Sequence, residues 1–487
     1  MPVAVSIRAK HTLTRECVQS PGPAGRRLGV PSGRGDLVAF AISTAKLDIT
    51  PSSGANPYMA GYGIQGGARV VHTDSPHAQP LYARCVVLWD NGSPNAIITL
   101  DLLGIPREVH RAVRPRLVRL TNWASSDIVI LASHTHNGPV VGRNALNAYV
   151  SYELVGLDLI DSYTEWVENR IVAVVDEALK AARTSVSLDY RVATMSFAFN
   201  RAGLPTTETA VPVLTARRSN GTIRAVLFSY GCHPVSAGWQ EEWDGDWPAE
   251  ACHQIEDATD AFALFIPGPA GDQDPSGVRG WGLRDSHGRS LANAVVSATE
   301  AGGRSLSGPI YSQLREVQLP LDITATTANL AAVRAAFAAR MGNPSGQPAW
   351  YQRHAQSMIT RIDSGTYATS VPNPSQVWHV GGSPTLRMAF VGGELVSGYG
   401  AYFRARYGGT NGLLIGGYAN EINSYVPANN FLPPLAPSWG SYEGGWDPDY
   451  PGIAGGSMTV YSQIAHFRAG SSGVESAVIS ALTEQLA

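Results

Sequence analysis

Short apolar runs separated by turn-forming residues recur along the chain and predict a series of β-strands. The predicted strands are Ala83–Trp89, Asn95–Leu100, Leu188–Thr194, Ile223–Tyr230 and Thr385–Val391. Asn91-Gly92 lies between the first two, and this dipeptide is typical of tight hairpins, so we expect some antiparallel pairing.

Helical periodicity lies between several of these strands. In Tyr163–Arg183, the residues at helical spacing are Val167, Ile171, Val174, Val175, Ala178 and Ala182. Further helices are predicted at Asp285–Ala301, Thr326–Met341 and Val474–Leu486. Interleaved strands and helices predict an α/β fold with a mixed β-sheet core covered by helices. Pro433–Gly456, rich in Gly, Pro and Trp, predicts a long ordered loop, and such loops are often functional.

Composition narrows the class of protein. Of 487 residues, 44% are hydrophobic and 15% charged, with a formal net charge of -3. This composition describes a globular protein without the basic surface that nucleic-acid binding requires. No apolar run approaches the roughly 20 residues needed to span a bilayer, so we expect no transmembrane segment.

The two ends of the chain suggest its organisation. Residues 1–35 carry basic residues among Pro, Gly and Ser without the apolar region of a secretory signal. We expect a disordered tail followed by a single domain over residues 36–487.

The four cysteines, Cys17, Cys85, Cys232 and Cys252, are too sparse for a disulfide framework. We therefore expect reducing conditions and a cytoplasmic location, although secretion is a second option.

Two histidines follow a predicted strand in Ser133–Pro139. Side chains alternate across a strand, so His134 and His136 share one face if the extended geometry continues beyond Ile128–Ala132. Paired imidazoles suit zinc, and a catalytic zinc needs three protein ligands and an open position. The alternative is a pair of structural, hydrogen-bonded histidines.

Four further segments place polar groups just after an apolar strand, where the sites of α/β proteins collect. They are Leu227–Ser236 with His233, Ala389–Glu394, Ala263–Pro275 with Asp272 and Asp274, and Gly416–Tyr425. In the second, we expect Gly392-Gly393 to let the backbone approach a ligand ahead of Glu394. Taken singly, each segment has an ordinary explanation as a turn residue, a solvated carboxylate or a half-buried aromatic. Cys232 is either a thiolate ligand or nucleophile, or a small buried hydrophobe.

Together and in this order, these segments resemble the neutral/alkaline non-lysosomal ceramidase family. Ala41–Pro51, Met59–Gly63, Pro80–Arg84 and Leu100–Gly104 are similar to successive motifs of that family, and His134–Pro139 is similar to its His-Thr-His-Ser-Gly-Pro signature. The similarity extends in patches from about Phe40 to the C-terminus. It implies a ceramidase-like catalytic domain with one Zn²⁺ per chain that catalyses amide hydrolysis.

Carried over residue by residue, the resemblance implies four metal ligands: His134, His233, Glu394 and Tyr425. His136 then lies beside the metal. Asn200 and Arg201 match possible substrate contacts, and Asp246 matches a group that supports the ligands. An ordinary ion pair or helix cap is the alternative for these last three residues.

Two departures separate this chain from the family. Asp274 in Gly271–Pro275 stands where ceramidases have a serine proposed to act in catalysis. We expect no counterpart of the immunoglobulin-like domain of longer family members, since one predicted helix follows Tyr442–Gly444. Specific recognition of ceramide is therefore in doubt.

The sequence supports three functional hypotheses. The first is a zinc-dependent hydrolase of an N-acyl amide, in which Asp274 or Asp272 accepts a proton from water or positions the leaving amine, and His136 donates a proton or stabilises the oxyanion. The second is that the same site hydrolyses ceramide or another lipid amide, or forms an amide by acyl transfer. The third is a metal-bearing binding protein without catalysis.

Overall fold

A computed structural model describes residues 40–62, 69–72, 79–121, 123–142, 157–342, 349–436 and 440–487. Contacts group Val38–Ala487 into one compact unit. The predicted tail, residues 1–35, lies outside the described residues.

The strands of the described residues are β1 (Phe40–Asp48), β2 (Tyr58–Met59), β3 (Arg69–Val70), β4 (Tyr82–Asp90), β5 (Ser93–Leu100), β6 (Ile128–Ala132), β7 (Thr184–Thr194), β8 (Ala198–Asn200), β9 (Ala210–Arg217), β10 (Ile223–Tyr230), β11 (Phe262–Pro267), β12 (Gln273–Pro275), β13 (Arg304–Pro320), β14 (Ser370–Gly382), β15 (Leu386–Val391), β16 (Glu394–Leu395), β17 (Leu413–Gly416) and β18 (Tyr425–Val426). The α-helices are α1 (Arg107–Thr121), α2 (Asp158–Lys180), α3 (Asp246–Thr259), α4 (Trp281–Ala301), α5 (Thr327–Gly342), α6 (Ala349–Ser364), α7 (Ser397–Arg404), α8 (Gly409–Gly412), α9 (Ser441–Gly444), α10 (Ser457–Val460) and α11 (Val474–Leu486). Each predicted strand and helix overlaps one of these elements.

Twelve of the strands form one mixed sheet. Its main path runs β17-β15-β14-β13-β7-β1-β4-β5-β6, and β9, β10 and β11 branch from β7. The pairs β5–β6, β10–β11 and β15–β17 are parallel, whereas β4 and β5 are antiparallel. The predicted hairpin is confirmed, since Asp90 pairs with Ser93 and the two residues between them have φ values of 48° and 81°.

Helices cover the sheet in three places. Apolar side chains of α1 and α2 pack against β4 and β5, those of α3 and α4 against β10 and β11, and those of α5, α6 and α11 against β14 and β15. This arrangement confirms the α/β prediction. None of the described helices combines the length and apolar character that crossing a membrane requires.

Periodicity missed three of the long described helices for identifiable reasons, and it also missed the shorter helices α7 to α10. Helix α1 contains Pro115, a residue that usually ends a helix, and its exposed face is rich in arginine. Helix α3 has Pro248 in its first turn, and most of its buried side chains are small or polar, so it shows no clear apolar stripe. Helix α6 mixes polar residues into its buried stripe. The long strand β13 was missed because most of its residues are polar or partly exposed.

Three strands that precede candidate ligands share one core. Leu131 of β6, Leu227 of β10 and Phe390 of β15 belong to the same cluster of buried side chains. Strand β6 is followed by His134, β10 by His233 and β15 by Glu394, so this shared core fixes the strands that carry three of the candidate ligands.

Trp247 on α3 is fully buried among Phe197, Tyr230 and Phe265, and its Nε1 donates to the His233 carbonyl at 3.1 Å. We expect Trp247→Ala to lower the free energy of unfolding by about 3–5 kcal/mol, because it leaves a large cavity and removes this hydrogen bond. Denaturant unfolding measures the effect. The control is Trp166→Ala, at a side chain 41% exposed, which should cost less than about 1 kcal/mol. Equal losses in both variants would contradict the assigned packing.

Candidate metal centre

His134 lies two residues beyond the end of β6 and has a φ of 69°, a left-handed conformation that is uncommon for residues other than glycine. The extended geometry therefore ends before His134, so strand alternation does not bring His134 and His136 together. The His134 Nδ1 lies 2.6 Å from the Leu103 carbonyl oxygen, which can only accept a hydrogen bond. Nδ1 therefore carries the proton, and Nε2 is left free to act as a ligand.

His233 follows β10 and is held in the same way. Its Nδ1 donates to the Ala270 carbonyl at 2.7 Å, which leaves Nε2 on the side of the site. The Asp246 carboxylate accepts the backbone N–H groups of Ser236 and Ala237 at 3.0 and 2.9 Å. Asp246 thus fixes the loop that carries His233, and it does not itself reach the cluster.

Glu394 and Tyr425 are delivered by a short two-stranded sheet. Strands β16 and β18 are parallel, with Glu394 directly opposite Tyr425. The Glu394 Oε2 lies 3.1 Å from His134 Nε2 and 3.3 Å from His233 Nε2, and the Tyr425 hydroxyl lies 3.5 Å from His233 Nε2.

The glycines before Glu394 serve this sheet, which corrects the expectation that they approach a ligand. A Cβ on Gly393, where φ is 76°, would lie 2.7 Å from the Ser424 carbonyl oxygen, and a Cβ on Gly392 would lie 2.6 Å from Pro374 Cδ. Only glycine allows this close approach of neighbouring backbone.

His136 completes the cluster. Ligand atoms of His134, His136 and His233 all lie within 4.8 Å of one another. The backbone carbonyl of His136 accepts a hydrogen bond from Arg69, and a Cβ on Gly61 would lie 2.7 Å from His136 Cβ. Burial, reinforced by the two neighbouring histidines, holds the pKa of His136 well below its ordinary value, so its ring is neutral.

Several buried polar atoms at this point make no hydrogen bond within the described residues. They are His134 Nε2, Glu394 Oε2 and both ring nitrogens of His136. A buried polar atom without a partner costs free energy, so such a group needs a ligand. Burial alone would raise the pKa of Glu394, but the two histidine rings lower it well below its ordinary value, and the carboxylate is ionised. Imidazole nitrogens and an ionised carboxylate form a donor set that fits a divalent metal ion.

A second tyrosine supports the carboxylate. The Tyr461 hydroxyl, which follows α10, donates to Glu394 Oε1 at 2.7 Å and leaves Oε2 directed at the histidines. No motif in the sequence distinguishes Tyr461 from the other tyrosines, so only the fold reveals its contact with Glu394.

A cavity of about 370 Å³ opens beside the cluster. Its lining residues are Tyr62, His136, Arg201, Ala202, His233, Val235, Asp274, Arg279, Tyr425, Tyr442 and Glu443. Sequence reasoning missed Tyr62, Arg279, Tyr442 and Glu443 as site residues. The last two come from α9, inside the segment predicted as a long loop.

The predicted residues Arg201 and Asp274 line this cavity and bind each other. Arg201 Nη1 donates to Asp274 Oδ1 at 3.1 Å, and Arg279 Nη2 donates to Asp274 Oδ2 at 2.5 Å. Burial alone would raise the pKa of Asp274, but Arg201 and Arg279 lower it, so the carboxylate is ionised. Arg201 Nη2 also donates to the Tyr425 hydroxyl at 2.9 Å.

Asp272 and Asn200 do not line the cavity. Asn200 Nδ2 donates to Asp272 Oδ2 at 2.8 Å, and the Ser397 backbone N–H donates to Asp272 Oδ1 at 2.7 Å. The pair is buried and joins the start of α7 to the turn after β8. Cys232 is also buried, and burial holds the pKa of its thiol well above the ordinary value, which favours the small-hydrophobe interpretation.

A larger cavity, of about 700 Å³, lies between α1 and β13 and contains none of the predicted site residues. The Glu421 carboxylate at its wall pairs with His110 Nδ1 at 2.6 Å and with Arg107 Nη1 at 2.5 Å. Arg107 neutralises the Glu421 carboxylate, whereas burial lowers the pKa of His110, so its neutral ring contributes a hydrogen bond.

No protein-family model and no curated protein sequence matches this chain. Its structure is similar to a solved structure of neutral ceramidase from Pseudomonas aeruginosa, with a TM-score of 0.62 over 88% of this chain and 73% of that one. The chain has the neutral ceramidase fold.

Sequence identity to that structure is 16%. A second solved structure, described as ceramidase complexed with C2, is 15% identical and covers 88% of this chain and 74% of its own, with the same TM-score of 0.62. The fold implied by the family resemblance is thereby confirmed.

Tyr461→Phe removes the hydrogen bond that orients Glu394 and should lower metal affinity about 10–100-fold, as loss of such supporting contacts does in other metal sites. Competition with a chelator of known affinity measures the change. Tyr399→Phe is a matched control, because the Tyr399 hydroxyl donates to the Pro427 carbonyl at 3.0 Å without touching a candidate ligand. Unchanged metal affinity in Tyr461→Phe would contradict the supporting role.

Proposed function

We propose that this protein is a zinc-dependent hydrolase that cleaves the amide bond of an N-acyl compound. The observation that carries the proposal is the meeting of His134, His233, Glu394 and Tyr425 around buried polar atoms that lack partners, within a neutral ceramidase fold. These four residues would hold the metal within one catalytic domain over residues 36–487. A cytoplasmic location stays a prediction.

The donor set favours zinc over magnesium or calcium, because two imidazoles with carboxylate and phenol oxygens suit a borderline metal better than a hard one. When bound, zinc supplies Lewis acidity, which polarises the amide carbonyl and lowers the pKa of a water molecule to about 7. No nucleophilic serine is then required.

The side chains in and around the cavity have different roles in the proposed reaction. His136 is neutral and has ring nitrogens without partners, so it can donate a hydrogen bond to the developing oxyanion. Asp274 is ionised and bound by two arginines, which weakens it as a base. We therefore assign Asp274 to positioning the leaving amine, and we assign Asp272 and Asn200 a structural role.

Ceramide hydrolysis is the second candidate, favoured by the fold shared with ceramidases. The cavity argues against it. At about 370 Å³ it lies at the small end of ligand pockets, and its wall carries the charged side chains of Arg201, Asp274, Arg279 and Glu443. Two long hydrocarbon chains need a larger and more apolar surface.

Glu394→Ala should abolish zinc retention and reduce amide hydrolysis at least about 100-fold, because it removes the only carboxylate among the proposed ligands. Metal analysis of the purified protein and an assay of released amine, with and without chelator, measure both effects. The control is Glu484→Ala, at a side chain 60% exposed, which should change neither.

Retained zinc and activity in Glu394→Ala would refute the ligand assignment. If no member of a broad amide panel is hydrolysed in a chelator-sensitive way by the unaltered protein, the metal-bearing binding protein becomes the better explanation. Amide formation from the acid and amine would instead indicate acyl transfer on the same site.

A series of N-acyl amides of increasing chain length separates the two amidase candidates. A lipid site gains about 0.8 kcal/mol, or roughly fourfold in affinity, for each buried CH₂. We expect KM to stop falling after the first few carbons, because the cavity is small. We expect ceramide to be hydrolysed at least about tenfold more slowly than short amides. A continued fourfold gain per carbon would establish the lipid enzyme.

A further inference from the structure

Four charged side chains at the cavity form a row of alternating sign, Glu443–Arg201–Asp274–Arg279. Arg201 Nε donates to Glu443 Oε1 at 2.8 Å, and Asp274 accepts from both arginines at 3.1 and 2.5 Å. The two inner charges are each neutralised from both sides, so only the ends of the row carry uncompensated charge.

The two ends differ in accessibility. The Glu443 side chain is 3% exposed, whereas that of Arg279 is 36% exposed. A molecule that enters from solvent therefore meets the positive end of the row first. The four charges of the row sum to zero. Glu394 together with a bound divalent ion would carry a net charge of +1, so the site as a whole would favour an anionic molecule.

Arg279 is held in place by its backbone surroundings. A Cβ on Gly238, where φ is 74°, would lie 2.9 Å from Arg279 Cβ, so the glycine makes room for the arginine. The next residue, Gly280, donates its N–H to the Ser236 carbonyl at 2.8 Å. Arg279 is thereby joined to the loop that carries His233.

Most of the hydrogen-bonding capacity of Arg279 is left for a ligand. A guanidinium has five N–H donors, and within the described residues Arg279 makes one hydrogen bond, from Nη2 to Asp274. The planar fork matches a carboxylate, which it can bind through two parallel hydrogen bonds. A neutral lipid amide offers no such partner, and its binding would desolvate the guanidinium without compensation.

We infer that the substrate carries a carboxylate that Arg279 binds at the mouth of the cavity, which makes it an N-acyl amino acid. The inference rests on the proposed function, because it places the amide of this substrate at the metal. Arg279 then determines specificity by recognising the end of the substrate away from the acyl chain.

Hexanoylglycine and hexanoylglycinamide test whether a negative charge on the substrate matters. They differ only in that the first has a carboxylate where the second has a neutral carboxamide. With the zinc-loaded full chain, we expect kcat/KM for release of hexanoate to be at least about tenfold higher for the acid. Arg279→Gln should bring this ratio close to one, chiefly by raising KM for the acid, and Arg279→Lys should restore part of the preference. Arg289→Gln, at an exposed arginine of α4, is the control and should leave the ratio unchanged.

Equal kcat/KM values for the acid and the amide, or a preference that survives Arg279→Gln, would overturn the inference while leaving amide hydrolysis intact. Calorimetry with the ketone analogues of both compounds, in which CH₂ replaces the amide N–H, measures binding without turnover. Selective binding of the acidic analogue that depends on Arg279, in a protein that hydrolyses no amide, would support the carboxylate site and refute the hydrolase. Binding of neither analogue would overturn the site.

Discussion

The buried carboxylate of Glu394 is the group on which the arrangement of the site depends. One of its oxygens lies 3.1 and 3.3 Å from ring nitrogens of His134 and His233, while the other accepts the Tyr461 hydroxyl. Such crowding of buried acceptors and donors is costly unless a cation lies between them. The fold therefore brings together polar atoms from several strand ends in an arrangement that suits a divalent metal ion.

Backbone contacts position three of the candidate ligands, His134, His233 and Glu394. Both histidines donate Nδ1–H to a main-chain carbonyl, and Glu394 is fixed by the register of β16 against β18. Glycines at 61 and 393 and the left-handed conformation of His134 permit these close approaches. A site positioned in this way would need little reorganisation to take up a metal ion.

Asp274 lies at the centre of the charged wall of the cavity. Its carboxylate, at the position where the family resemblance implies serine, pairs with Arg201 and Arg279 in a row of charges along the cavity. This charged wall is the basis for proposing a polar amide rather than a lipid as the substrate. A charged group on the wall of a pocket discriminates between substrates more strongly than an additional apolar contact does. The reason is that leaving a buried charge unpaired costs more binding free energy than one methylene contact contributes.

The sequence by itself determined the alternation of strands and helices, the β4–β5 hairpin and the segments that carry His134, His233, Glu394 and Tyr425. These follow from local periodicity and turn chemistry, together with the family resemblance. Only the tertiary structure decided which polar residues share the site: it brought in Tyr461, Arg279 and Glu443, and it paired Asp272 with Asn200 away from the cavity. The reason is that a side chain's partners are set by the crossing of strands distant in sequence, which leaves no periodic signal along the chain.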